Sequence, residues 1–312
     1  MKTNVGPNWL EDKHSITKCK CFAMCPRKFF YRYVCKIKES PSLALLLGRA
    51  IHTGQETDNY AKVRGDKLST EQVLESAVDT LEEDSAAQGV DVSTDAFVAE
   101  HRAQLEKFEK TGERARVNPV PGSIEAPFAL QIKVGDPEHG LRAATVEGFV
   151  DVVSQDPSTG ERCVIDYKSG KKPASLREVD EHLQLALEAT GAEAGSAKII
   201  NFVMEGKQKP TTKVSEAVQN TQQKFERVLR FLSDTIHAIR RGIKTGDFPK
   251  CDPSAHYCSA GFCEYYTRCY PEKEPDLHKW IQVVKIEPVG SLPVPEWRES
   301  KAGRAERERT KS

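Results

Sequence analysis

The chain has 312 residues, a formal net charge of zero, 38% hydrophobic residues and 29% charged residues. That length and mix suit one large or two ordinary globular domains, and they exclude a protein held to nucleic acid by bulk charge, so any polyanion must be met by local basic patches. No apolar run is long enough to cross a bilayer, and the opening Met-Lys-Thr-Asn-Val-Gly-Pro lacks the apolar core of a secretion signal, so a cytoplasmic, reducing location is expected.

Ser15 is a candidate N-cap for a helix over 16–34, which Pro26 must kink or restart. Within it, Arg27, Lys28 and Arg32 are interleaved with Phe29, Phe30, Tyr31 and Tyr33. Cations among aromatics can hold phosphates and stack on bases. The alternative is an amphipathic helix with its rings in the core and its cations in water. Ser42 opens a second helix, 43–63, carrying Gly48, Arg49 and, one turn beyond Gly48, His52. Helical patterns over 69–87 and 94–110 have heavily charged outer faces and read as coverings.

Strand-like sequence resumes at 123–134, with Glu125 near its start, and continues at 144–154 and 161–168. The turn-rich segment Gln155-Asp156-Pro157-Ser158-Thr159-Gly160 separates the last two and predicts a hairpin. Symmetric closure pairs Ser154 with Glu161 and Asp151 with Val164. Asp151, Asp166 and Lys168 then share a face, with the two acids diagonal neighbours roughly 7–8 Å apart. Two such carboxylates can lean onto one divalent ion, and the lysine beside them can handle phosphate. The plainer reading is a salt bridge at a strand end. A helix over 175–190 follows, with a buried stripe of Leu176, Val179, Leu183 and Leu187 and a polar line of Asp180, Gln184 and Glu188. Another apolar strand, 198–205, precedes a long amphipathic helix over 214–245.

Nine cysteines in a reducing compartment need a reason other than disulfides. Cys19, Cys21, Cys25 and Cys35 lie near the start, Cys251, Cys258, Cys263 and Cys269 near the end, and only Cys163 between. Two such end clusters suggest metal ligands.

The order Cys25-Pro26-Arg27-Lys28-Phe29-Phe30, Gly48-x-x-x-His52, Gly148-Phe149-Val150-Asp151, Asp166-Tyr167-Lys168, Gln184 resembles the RecB-like branch of the PD-(D/E)XK nucleases. The late cysteine triplet resembles its iron–sulfur members, such as AddB and the nucleases of CRISPR adaptation. The resemblance implies an α/β (α+β) fold: a restriction-endonuclease-like mixed central sheet flanked by helices, its cysteine-bearing ends joined by a metal cluster. The domain would span 15–290, including a cysteine cluster at 251–269, after an N-terminal extension of 1–14. Residues 291–312, a charged stretch nearly without apolar residues, would be a disordered tail.

The implied activity is that of a divalent-metal-dependent deoxyribonuclease, an exonuclease of recombination, repair or phage- and CRISPR-type DNA processing. DNA is the implied partner, and a helicase, recombinase or other DNA-processing protein could work beside it. His52, Asp151 and Asp166 would ligate magnesium or manganese, together with the Tyr167 carbonyl oxygen. Lys168 would be the catalytic lysine, and Gln184 would sit near the scissile phosphate. Arg27, Lys28, Arg32 and Arg49 are candidate DNA contacts. Cys25, Cys258, Cys263 and Cys269 would bind a four-iron, four-sulfur cluster.

Two departures stand out. Glu188 occupies the place of the family's tyrosine four residues after the glutamine, and the first gap of the cysteine triplet is four residues where two is common. Cys251, Cys19 and Cys21 are spare candidates, and zinc held by four thiolates is an alternative. A catalytically inactive nuclease-fold module that binds DNA or protein is the competing function class. A zinc-stapled interaction protein is a third.

Overall fold

The computed structural model describes residues 13–38, 41–136, 140–204 and 209–270. Residues 1–12 of the expected 1–14 extension, residues 271–290 of the expected domain and the tail from 291 onward lie outside them. Among the described residues no helix is long and apolar enough to cross a membrane.

In chain order the elements are β1 (Lys13–His14), α1 (Ile16–Met24), α2 (Pro26–Phe29) running into a π-helical turn (Phe30–Val34), α3 (Leu43–Val63), α4 (Thr70–Gln88), α5 (Thr94–Lys110), α6 (Glu113–Arg116), β2 (Pro119–Asp136), β3 (Gly140–Gln155), β4 (Arg162–Gly170), α7 (Leu176–Asp180), α8 (Leu183–Gly191), β5 (Ser196–Val203), β6 (Thr211–Val214), β7 (Val218–Gln219), α9 (Gln222–Thr245) and α10 (Tyr266–Cys269). The chain forms two compact units. One draws on the described residues within 1–39, 129–147 and 227–312, the other on those within 40–128 and 148–226.

The second unit is a mixed sheet covered by helices. The end of β3 pairs antiparallel with β4, β4 runs parallel to β5, and β5 pairs antiparallel with both β6 and β7. One face packs Val152, Ile165, Tyr167, Ile200 and Phe202 against Leu46, Ala50 and Ile51 of α3 and the apolar sides of α4 and α5. The opposite face packs Val150, Val153, Val164 and Ile199 against Val179 of α7 and Leu185 and Ala189 of α8. The helices start where the sequence supplies side-chain acceptors for their orphan amides. Ser42 accepts from Leu45 N, and Ser69 and Ser175 form capping boxes with Gln72 and Glu178. In the first unit, β1 pairs in parallel with the start of β3, and Ser15 caps α1 by accepting from Lys18 N.

Several expectations are corrected. The helix foreseen over 175–190 breaks at Glu181–His182, because His182 turns extended (ψ 102°) and uses its Nδ1 to accept from Leu185 N at 3.4 Å. Val179 and Leu187 of the expected stripe are buried and Leu185 joins them, whereas Leu176, in the first turn of α7, is 53% exposed. The long helix begins at Gln222 and not near Val214. Residues 211–214 and 218–219 are edge strands, as suits the β-branched run Thr211-Thr212 and Val214. Thr221 then caps α9 by accepting from Lys224 N. The strand expected over 123–134 extends from Pro119 to Asp136.

The hairpin register differs by two residues. Val152 faces Ile165, Val153 faces Val164 and Ser154 faces Cys163. The turn, shifted by one residue to 156–161, is held by Asp156, whose Oδ1 accepts from Ser158 N and Thr159 N.

Candidate active site

Three elements of the second unit bring titratable side chains together. On α3, Ala50 and Ile51 are buried and anchor the helix against the sheet, so His52, next in sequence, reaches the sheet's edge. The approach is close, since a Cβ on Gly48 would lie 3.0 Å from Ser169 Oγ on β4. On β2, Glu125 adopts φ +47°, a left-handed backbone that few side chains tolerate outside sites that need it. On β3, Asp151 follows buried Val150.

Asp151 does not sit in a regular pleat. Val150 and Val153 belong to one core face and Val152 to the other, so the alternation slips at 151–152, in the manner of a bulge. The ladder with β4 runs only from Val152 onward. Beyond it the Asp151 side chain takes over, its Oδ2 accepting from Tyr167 N at 2.8 Å. Asp151 therefore does not share a face with Asp166 and Lys168, as a regular hairpin would have it. It leaves β3 opposite Val150 and reaches the edge of β4. There the same Oδ2 lies 3.4 Å from His52 Nδ1. Ligand atoms of His52, Glu125 and Asp151 all lie within 4.8 Å of one another.

Asp166 and Lys168 share the β4 face that carries Val164, as predicted from the two-residue period. Lys168 Nζ donates to Asp166 Oδ1 at 2.8 Å. Asp166 is fully buried, and its Oδ2 has no hydrogen-bond partner. On α8, Gln184 Nε2 donates to Glu188 Oε1 at 2.8 Å, and Glu188 is 1% exposed with its other oxygen unpartnered. Tyr167 is held at both ends, by Asp151 at its amide and by Asn59 Nδ2, which donates to its hydroxyl at 3.1 Å.

The electrostatics are those of an acidic pocket short of positive charge. Burial, then Asp151, Glu56 and Asp166, push the Glu125 carboxyl up to about 7. Burial and Asp166 push Glu188 up to about 9. Asp166 is raised by burial and by Asp151 against the pull of Lys168. Burial opposes the Lys168 charge, yet Asp166 beside it carries the ammonium above its ordinary range. Crowded, desolvated carboxylates of this kind hold protons that a cation would replace. The donor set of oxygens plus one imidazole fits a small hard divalent ion, and the orphaned Asp166 Oδ2 is an acceptor still to be matched.

Of the residues foreseen from sequence, the fold brings His52 and Asp151 together, sets Asp166 and Lys168 as a pair beside them, and ties Gln184 to Glu188. Glu125 and Glu188 had been given no role. Glu125 was visible only as an acid in a strand, three residues after the turn dipeptide Pro121-Gly122. Glu188 had stood out only as a departure from the family pattern.

The first unit contains the thiols. Cys25 interrupts the N-terminal helix with an extended backbone, and its Sγ accepts from Lys28 N to cap α2. Cys25, Cys251, Cys258, Cys263 and Cys269 line one cavity. Burial, with Cys25 and Cys258 at hydrogen-bonding range, pushes Cys251 up to about 12. Among the described residues no three cysteine sulfurs lie within 4.8 Å of one another. Cys19 and Cys21 are packed in the core.

The basic candidates fare differently. Arg27 is buried, with Nε donating to Phe248 O at 2.7 Å, so it is a core arginine and not a DNA contact. The reason is the aromatic core that Phe22, Phe29 and Phe30 build around Phe248. Lys28 pairs with Glu264 at 2.8 Å, Arg32 lies over the Tyr33 ring, and Arg49 is exposed and pairs with Asp84 at 3.0 Å.

No curated protein matches the sequence significantly. Among solved structures, a candidate exonuclease from Eubacterium rectale is similar at 12% identity and a TM-score of 0.51, over 89% of this chain and 96% of that one. A crystal structure of SSO0001 is also similar, at 12% identity over 81% of this chain and 94% of that one, with a TM-score of 0.35. The first likeness is one of fold. The family model of the PD-(D/E)XK nuclease superfamily matches residues 13–270. That span takes in the acids, the lysine and all the lining cysteines, and the chain belongs to the PD-(D/E)XK nuclease superfamily.

Proposed function

We propose that this protein is a divalent-cation-dependent deoxyribonuclease that hydrolyses phosphodiester bonds from a DNA end. The convergence of His52, Glu125 and Asp151 beside the Asp166–Lys168 pair carries the reading, in a chain of nuclease family. His52, Glu125 and Asp151, with Asp166 adjoining, would hold magnesium or manganese, and the imidazole nitrogen favours manganese. Such an ion, when bound, neutralises phosphate charge and lowers the pKa of water.

The chain's own groups do the rest. Lys168, kept charged by Asp166, offers its ammonium to the charge that grows on the phosphoryl oxygens. Gln184, whose amide nitrogen donates one hydrogen bond to Glu188, could accept a hydrogen bond from an attacking water at its carbonyl oxygen. Asp151 anchors β4 while serving as ligand.

In the same proposal the thiol cavity binds a four-iron cluster through Cys25, Cys258, Cys263 and Cys269, with Cys251 alongside, in a structural role. Cys251 stands at hydrogen-bonding range of Cys25 and Cys258, so the thiols crowd one cavity, and four thiolates could also hold zinc.

End-labelled single- and double-stranded DNA, incubated with manganese, magnesium or chelator, tests the nuclease reading. The parent protein should cut only with metal, and Asp166→Ala should abolish cutting with the fold retained. Cutting by Asp166→Ala at the parent's rate would overturn the assignment. Anaerobically purified protein should be brown and contain iron; colourless protein containing zinc would remove iron from the proposal.

A further inference from the structure

Phe149 exposes its ring two residues before the candidate metal ligand Asp151. It is 61% exposed, although its neighbours on β3 are tightly packed: Val150 is 2% exposed, and a Cβ on Gly148 would lie 2.9 Å from the Phe128 ring. Val150 and Phe128 belong to one core cluster, so the Gly148 and Val150 side of the strand faces that core. Side chains alternate along a strand, and Asp151, at the slip, reaches His52 of the helix that packs on the face away from Val150. Phe149 therefore leaves the same side as Asp151, opposite Val150. Two residues along a strand span about 7 Å. The two Cα atoms thus lie about that far apart, and the Asp151 carboxylate meets His52 Nδ1 at 3.4 Å. A lone exposed aromatic is common on protein surfaces. One set at this distance from a phosphodiester-cleaving site is placed to meet the nucleotide that enters it.

We infer that Phe149 is a stacking platform for the base of the nucleotide next to the scissile phosphate, and that the substrate is single-stranded DNA or a frayed DNA end. The inference rests on the nuclease reading and adds the substrate class to it. Every base has a π-face, so such a platform is indifferent to sequence. Inside a duplex both faces of a base are already covered by its neighbours, so the platform can act only on an unstacked base. Phe149 touches no reacting atom in this scheme; it positions the strand.

The test is a double-substitution cycle between protein and substrate. Single-stranded oligonucleotides carry one abasic nucleotide at successive positions and are cut by the parent, Phe149→Ala and Phe149→Trp, with manganese binding measured on each as a control. Loss of one stacked base should raise KM about 5- to 100-fold. The parent should show that rise at one abasic position. Phe149→Ala should show it on intact DNA, with no further rise at that position, and Phe149→Trp should restore the discrimination. Manganese affinity should not move. Parent cutting that is indifferent to every abasic position, or Phe149→Ala that remains as sensitive as the parent, overturns the platform and leaves the nuclease reading standing. A parent that cuts no DNA under any metal overturns both.

Discussion

Glu125→Gln gives the sharpest reading of the acidic pocket. The Glu125 carboxyl, held up to about 7 by burial and three neighbouring acids, must lose its proton before it can ligate a cation. Apparent affinity is then weakened by 1 + 10^(7 − pH), a factor of about 2 at pH 7 and about 11 at pH 6. Manganese binding should be followed by the electron paramagnetic resonance of the free ion across pH 5.5–8. Dividing the parent's dissociation constants by those of Glu125→Gln isolates the Glu125 contribution. The parent should bind more tightly at pH 8, and its advantage should shrink about fivefold between pH 7 and pH 6. The folded apo protein also holds a proton that the unfolded chain releases between pH 4.5 and about 7, so apo stability should fall as pH rises through that window. Added manganese should therefore raise Tm more at pH 8 than at pH 5.5. Identical pH profiles for parent and Glu125→Gln would refute the argument.

Glu188→Gln should stabilise the protein at alkaline pH. Glu188 is pushed up to about 9, so the folded chain keeps a proton that the unfolded chain releases across pH 4.5–9, and stability falls there by at most about 1.4 kcal/mol per pH unit. Urea unfolding at pH 5 and pH 8 checks this, and equal shifts at both would count against a protonated Glu188. Lys168→Ala should keep manganese affinity within a few-fold while single-turnover cleavage falls about 10²- to 10³-fold; unchanged cleavage would remove Lys168 from the mechanism. Cys269→Ser should lower bound iron and visible absorbance in anaerobic preparations, whereas Cys19→Ser should leave both unchanged. Equal loss in the two would disconnect the cavity from the metal.

Much of this architecture could be read locally. Ser42, Ser69 and Ser175 marked helix starts because capping is a short-range effect of one side chain on its own first turn. Asp166 and Lys168 shared a face because period two needs no tertiary context. What failed depended on distant partners. Arg27 looked like a surface cation, and only the packing of Phe22, Phe29 and Phe30 on Phe248 buries it. The slip at Asp151–Val152 could not be foreseen, since a symmetric hairpin assumes an unbroken pleat. Glu125 joined the site through its own positive φ; the Pro121-Gly122 dipeptide three residues earlier announces a bend but not which side chain the bend aims inward.

The double duty of Asp151 ties catalysis to architecture. Its carboxylate stands in for a missing backbone acceptor, so truncating it leaves the Tyr167 amide bare as well as depriving a cation of an oxygen. Alanine at this position therefore confounds two losses. Asparagine keeps an acceptor for the amide and separates them. Any ion that tugs on this carboxylate also pulls on the strand bearing Asp166 and Lys168, so loading the pocket and tensioning its floor are a single mechanical event.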